Sequence, residues 1–327
     1  MIISWNVTKT CNLSCRHCYR DAGARDPDEL STEEGKELLR EIADAGFRII
    51  ILSGGEPLLR KDICELISCA SRSGLRPVLG TNGTLIDRNT ARELKRAGLA
   101  RAGISVDSLD AQVHDDFRKI KGAWAQTMGG IEACRAEGLD YQVHTTVTRC
   151  NYNGVSHITA FAAQNGARAH HVFFLVPTGR GGEITDLLLS RTEYQSLVTD
   201  IAKNQSSCSI ELKTVCAPQF AAVSIRDNID TRFKKGCLAG ISYCCILPNG
   251  DVHPCPYMPI KAGNVRLTPF SLIWKEDPLF IGLRTQQYKG RCGSCCYSQS
   301  CGGCRARAFH ESGDHMHEDP FCFMGAQ

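Results

Sequence analysis

At 327 residues, with a formal net charge of +3, 43% hydrophobic and 22% charged residues, the chain is too long for one small core and reads as about two globular domains. No basic run offers a footprint for nucleic acid or an anionic membrane, no apolar stretch approaches the ~20 residues of a bilayer span, and the start MIISWNVTKTC lacks the n- and h-regions of a secretory signal. The expectation is a cytoplasmic protein with no nucleic-acid or membrane partner, in which 19 cysteines argue for thiolate ligands over disulfides.

Six β-rich runs open the chain, at 2–8, 48–54, 76–82, 101–108, 141–148 and 170–177. Each is followed by a helical pattern. Ser31-Thr32-Glu33-Glu34 forms a capping box, Leu38, Leu39, Ile42 and Ala45 share one face, and Gly46 ends that helix. Further helices are expected near 62–73, 88–97, 125–137 and 155–165. This alternation predicts an α/β fold with a parallel sheet, and six units favour a partial (β/α)6 barrel over the full eightfold one. Residues 1–182 form this core. Residues 183–235 connect it, with a helix near 191–203 and a strand at 210–214, to a small Cys-rich C-terminal domain stapled by metal centres at 236–327, where ten of the 19 cysteines fall.

Cys11-x-x-x-Cys15-x-x-Cys18 follows the first strand directly, at the carboxyl end where parallel α/β folds place their sites. Three thiolates on a four-iron cluster leave one iron open to a ligand. A structural zinc would want a fourth ligand, for which His17 is the only near candidate. The second run ends Gly54-Gly55-Glu56-Pro57, where paired glycines let backbone approach a ligand and the Glu56 carboxylate can accept from an ammonium group. Polar residues also end the third and fourth runs, among them Thr81, Asn82, Ser105 and Asp107; the fifth offers His144, Thr145, Thr146 and Thr148, of which alternation turns only half inward.

The segment CNLSCRHCY at 11–19 resembles the signature of the radical S-adenosylmethionine (SAM) superfamily. That resemblance implies that Cys11, Cys15 and Cys18 hold a catalytic 4Fe-4S cluster, whose open iron binds SAM and whose electron cleaves it to a 5'-deoxyadenosyl radical. It further implies a cofactor site built from Tyr19, Gly54, Gly55, Glu56, Pro57, Thr81, Asn82, Ser105, Asp107, Thr145 and the Val176 backbone edge, with a ferredoxin or flavodoxin as electron donor.

Cys292-x-x-Cys295 and Cys301-x-x-Cys304 form a metal knuckle by geometry, for zinc or iron-sulfur alike. With Cys237, Cys255 and Cys322 they resemble the SPASM extension of radical SAM enzymes, which carries auxiliary clusters. The order implies Cys237, Cys255 and Cys304 on one cluster, with Cys244 or Cys245 as fourth ligand, and Cys292, Cys295, Cys301 and Cys322 on a second. The pair Gly302-Gly303, where three residues are usual, leaves one or two auxiliary clusters open. Cys64, Cys69, Cys134, Cys150, Cys208 and Cys216 lack such spacing and are expected to be core or surface thiols.

Longer stretches, including GISVDSLDAQVHDDFRKIKGAW, FFLVPTGRG and CGSCCYSQSCGGCRARAF, resemble the tetrapyrrole-modifying members of d-type heme synthesis and the siroheme-dependent heme route. The implied reaction is propionate decarboxylation or acetate removal. Arg118, Lys119, Lys121, Arg180, Arg305 and Arg307 are the candidates to meet substrate carboxylates. The alternative is a peptide maturase, disfavoured because the cysteine loop begins ten residues from the start, leaving no room for a leader-binding segment before it. An electron carrier or zinc scaffold is disfavoured by GGEP beside the open-site triplet.

Overall fold

In the first strand, β1 (Ile2–Thr8), Ile3, Trp5 and Val7 are fully buried under helices while Ser4 and Asn6 point to the opposite face. The same alternation recurs along the sheet in this computed structural model, which describes residues 1–325. The strands β2 (Ile49–Gly54), β3 (Arg76–Thr81), β4 (Arg101–Ser105), β5 (Tyr141–Val147), β6 (Ala169–Phe174) and β7 (Glu211–Val215) follow β1 in order, all parallel. On the other edge β8 (Tyr243–Ile246) pairs in parallel with β1 and carries the antiparallel β9 (Asp251–His253) and β10 (Gly263–Asn264). The sheet thus has ten strands in the order β10-β9-β8-β1-β2-β3-β4-β5-β6-β7.

The expected six strands are present but several stop earlier. Past their ends the backbone turns to side-chain partners: Asn82 N–H donates to Glu56 and Thr148 N–H to Asn151. The helices α1 (Thr32–Asp44), α2 (Ile63–Arg72), α3 (Arg88–Arg96), α4 (Ala111–Arg118), α5 (Ala123–Glu137) and α6 (Val155–Gln164) lie between these strands. The Ser31/Glu34 capping box opens α1 as expected. Helix α4 was not expected; Asp110 caps its first turn, and Asp115 on it accepts from the N–H groups of Gly122 and Trp124 to start α5.

The proposed boundaries at 182/183 and 235/236 are not packing boundaries. Strand β7 extends the parallel sheet, and β8 with α9 (Phe270–Glu276) and α10 (Pro278–Thr285) adds Cys244, Ile246, Phe270, Trp274 and Phe280 to the main core beneath β1 to β5. A second core joins α7 (Arg191–Asn204) and α8 (Gln219–Arg226) to Cys301 and Cys322, beside the short α11 (Gly290–Ser294) and α12 (Arg305–Ser312). Among the described residues no helix is long and apolar enough to cross a membrane.

Candidate functional site

The loop after β1 brings Cys11, Cys15 and Cys18 into one cluster with Leu13 and Ala123. Each sulfur receives a donor. Leu13 N–H lies 3.4 Å from Cys11 Sγ, Ala22 N–H 3.4 Å from Cys18 Sγ, and Arg118 Nη1 3.7 Å from Cys15 Sγ. Burial pushes the Cys11 thiol up to about 11 and raises Cys15 against the opposing pull of Arg118, so metal loading must displace protons. His17 does not act as a fourth ligand beside them; its ring stacks on Phe117 at 4.1 Å, and burial holds it neutral at about 3.

The glycine pair serves the loop itself. A Cβ on Gly54 would stand 2.2 Å from Thr8 O and one on Gly55 2.2 Å from Thr10 O, so only glycine admits the contacts Gly55 N–H to Thr8 O and Glu56 N–H to Thr10 O, each 2.8 Å. Close packing on the cysteine loop is thus one reason for glycine at both positions. Buried Glu56 accepts from Thr81 Oγ1 (2.8 Å), Asn82 N–H (2.9 Å) and Leu58 N–H (3.1 Å), and burial raises it to about 7. Pro57 opens the single 3-10 turn that follows. Asn82 Nδ2 in turn donates to Asn12 Oδ1 at 2.9 Å, tying β3 to the cysteine loop.

Further polar residues expected to touch a ligand also have partners within the fold. Asp107, fully buried, pairs with Arg118 at 2.6 Å and accepts from Thr146 N–H, so it orients the arginine that reaches Cys15. Thr145 lies on the helix side of β5, donating to Val106 O and meeting His170, because alternation turns Gln142, His144 and Thr146 to the other face. Val176 packs its side chain with Met258 and Cys304, and its carbonyl accepts from Thr178 N–H. Ser105, partly exposed, donates to Thr81 O at 3.3 Å, and Tyr19 donates to Asn6 Oδ1 at 3.2 Å on the face turned away from the helices. The same face holds Ser4, Tyr243, Cys245 and the stacked rings of His144 and His171, with His144 resting where a Gly103 side chain would stand.

The other cysteines fall into two groups. Cys304, Cys237 and Cys255 meet, and the fourth member is Cys216, whose thiol bonds to Cys304 and lowers it. Neither Cys244 nor Cys245 takes that place: Cys244 is in the apolar core and Cys245 faces Asn6. Cys216 has no nearby partner in the sequence; its signal is position, one residue beyond β7 as Cys11 lies just beyond β1. Cys292, Cys295, Cys301 and Cys322 line a separate cavity of about 130 Å³. Donors again face sulfur, from Arg305 to Cys292, Tyr297 N–H to Cys295 and Gly303 N–H to Cys301. Gly302 and Gly303, with φ +67° and +58°, make the left-handed turn that points Cys301 to one group and Cys304 to the other.

Residues 5–156 match the Radical SAM superfamily and residues 237–304 the SPASM iron-sulfur cluster-binding domain. The chain is 42% identical to the AdoMet-dependent heme synthase of Nitratidesulfovibrio vulgaris, an alignment spanning 98% of this chain and 91% of that one. The chain belongs to the radical SAM superfamily. It is also 33% identical to the Fe-coproporphyrin III synthase of Methanosarcina barkeri, over 99% of this chain and 88% of that one. Streptococcus suis SuiB bound to S-adenosylmethionine shares the fold, with a TM-score of 0.77 at 20% identity over 99% of this chain and 77% of that one.

This radical SAM enzyme therefore uses S-adenosylmethionine and 4Fe-4S clusters, which the three donor-lined thiol groups fit. Its basic residues stand differently from expectation. Arg180 donates to Cys15 O and Ala22 O, clasping the cysteine loop, and Gly179 passes so close that a Cβ would meet Cys18 O at 2.6 Å. Arg305 is buried on His315 O, His317 O and Cys292, and Arg307 forms a buried pair with Asp319. Arg118 is occupied by Asp107. Lys119 caps α4 in a left-handed conformation, and Lys119 and Lys121 are exposed. None of the four arginines is free for a substrate carboxylate, because each satisfies an acceptor inside the fold.

Proposed function

We propose that this radical SAM enzyme modifies carboxylate side chains of a tetrapyrrole, by oxidative decarboxylation of propionates to vinyls or by acetate removal. The observation that carries this reading is the 42% identity to a heme synthase across 98% of the chain, supported by a polar inner face between the Cys11–Cys18 loop and the Cys216–Cys304 group. When bound, SAM and the cluster held by Cys11, Cys15 and Cys18 supply the radical that takes a substrate hydrogen. The chain's own part is to seat that cluster: Arg118 and two backbone N–H groups face the sulfurs, and Arg180 closes the loop. The same reading gives Tyr19 and Ser105 a ligand contact at the mouth, supported by their position on the face turned away from the helices.

Two auxiliary clusters are proposed, on Cys216, Cys237, Cys255 and Cys304 and on Cys292, Cys295, Cys301 and Cys322. A ferredoxin or flavodoxin in the cytoplasm would supply electrons. The peptide-maturase reading rests on 32% identity, over 99% of this chain and 88% of that one, to the mycofactocin maturase MftC of Mycobacterium ulcerans, and on fold likeness to SuiB, a structure of which holds the precursor peptide SuiA, at 20% identity; against 42% to the heme synthase it has the weaker support. Anaerobic incubation of the reconstituted protein with SAM, a strong reductant and iron-coproporphyrin III, didecarboxysiroheme or a candidate peptide, followed by mass spectrometry, separates these readings. The expected product has lost carbon dioxide and two hydrogens per propionate. A modified peptide with an unchanged tetrapyrrole would overturn the proposal.

A further inference from the structure

Arg20 follows the cysteine loop and reaches the inner face of the sheet. Its Nη2 lies 3.7 Å from Cys245 Sγ and its Cζ 5.5 Å from the centre of the Tyr19 ring. That neighbourhood is inward: Cys245 also receives Asn6 Nδ2, Tyr19 donates to Asn6, and Asn6 alternates with Trp5 and Val7, which lie in the helix-side core. Tyr257 stands against Tyr19 at 5.1 Å, and Tyr243 bonds to Ser4 at 2.6 Å. The side chains around Arg20 are aromatic and neutral.

Arg20 has no carboxylate within ion-pair distance among the described residues, and its Nε is buried without a hydrogen-bond partner. A thiol is a weak acceptor, so a five-donor guanidinium here is left with most of its capacity unmet. Buried guanidinium groups elsewhere fill their donors, Arg118 and Arg307 with the carboxylates of Asp107 and Asp319 and Arg305 with two carbonyls, whereas half-buried Arg20 has only the thiol. The free fork matches a planar carboxylate.

We propose that Arg20 is the anchor for a substrate carboxylate, a positioning role that rests on the tetrapyrrole reading and names the side chain by which that substrate is held. Its location supports substrate over SAM. Arg20 stands at the β1–β8 side, against Cys245 and the Tyr19 ring, and Tyr19 packs on Tyr257, which clusters with Cys216, Cys255 and Cys304. A carboxylate on Arg20 therefore lies between the Cys11–Cys18 loop and the first auxiliary thiols. Substrate hydrogens must come to that interval.

The test compares binding of iron-coproporphyrin III and its tetramethyl ester to the reconstituted holoenzyme, in wild type, Arg20→Gln and Arg20→Lys, with SAM titrated separately and iron content measured throughout. Wild type should prefer the acid. In Arg20→Gln the acid should bind about ten- to a hundredfold more weakly, the ester should change little, and the acid-over-ester preference should collapse; Arg20→Lys should recover part of it. An undiminished preference in Arg20→Gln, or a weakened affinity for SAM with the preference intact, overturns the assignment and leaves the tetrapyrrole reading standing. Should Arg20→Gln lose iron, the charge-free Arg20→Met takes its place, and an acid-over-ester preference at the wild-type level in Arg20→Met overturns the assignment. Wild type that cleaves SAM yet binds neither porphyrin removes the tetrapyrrole reading, and this inference with it.

Discussion

The two cysteine-bearing regions are built on opposite plans. Cys11, Cys15 and Cys18 come from one short loop, and the rest of the fold reaches to it through Arg118, Arg180 and the Gly54-Gly55 backbone. The C-terminal thiols come from distant segments, Cys216 after β7, Cys237 and Cys255 around β8 and β9, and Cys304 at the start of α12. One buried knot holds them: Asp319 pairs with Arg307 and accepts from Cys304 N–H and Gln219. A loop motif is a local device that other elements support, whereas an assembled site exists only when the chain has folded around it.

Substitutions can break this contrast in order of size. Cys15→Ala should abolish 5'-deoxyadenosine formation outright, measured anaerobically with a strong reductant, since one missing thiolate leaves the loop without its ligand set. Asp319→Ala leaves the Arg307 charge buried and unpaired, and should cost about 3–5 kcal/mol in denaturant unfolding with loss of auxiliary iron. Retention of full auxiliary iron at wild-type stability would mean the knot does not hold the assembled site. Cys216→Ala should lower iron per chain and change the auxiliary electron paramagnetic resonance signal, while SAM cleavage falls far less than in Cys15→Ala. An unchanged signal would return Cys216 to the ordinary core thiols.

Gly303→Ala should be smaller, about 1–2 kcal/mol for the left-handed backbone, with a new Cβ only 2.9 Å from Asp319 Cβ and 3.1 Å from Cys292 Sγ. The effect that is smallest at neutral pH, and grows only towards acid, is a pH slope. Fully buried His170 sits between the hydroxyls of Thr145 and Thr159, and burial lowers it from 6.5 to about 3. The unfolded chain therefore takes a proton before the folded one, and stability falls as pH drops from about 6.5 towards 3. Urea unfolding across that window should show a shallower slope in His170→Gln, and an unaltered slope would exclude this contribution.

The parallel order of the first six strands, the Ser31 capping box and the Cys11–Cys18 loop were legible because each depends on neighbours within a few residues. The roles of the polar strand ends were not. Glu56, Asp107 and Thr145 look alike as polar residues near a mouth, but Glu56 and Asp107 bond to the loop and its support, and alternation turns Thr145 away. The helix α4 and the short strand β8 also escaped notice, the first behind a turn-like Ser108-Leu109-Asp110 and the second as four residues with two cysteines.

By itself the sequence determined the alternating α/β order, the family and the loop that gathers Cys11, Cys15 and Cys18, since local hydrogen bonding and short spacing decide these. Tertiary structure alone decided that Cys216 meets Cys304, that Arg118, Arg180, Arg305 and Arg307 are occupied, and that Arg20 Nε is buried without a partner. Those outcomes depend on which acceptors long-range packing brings within hydrogen-bond reach of each donor, and spacing along the chain does not encode that distance.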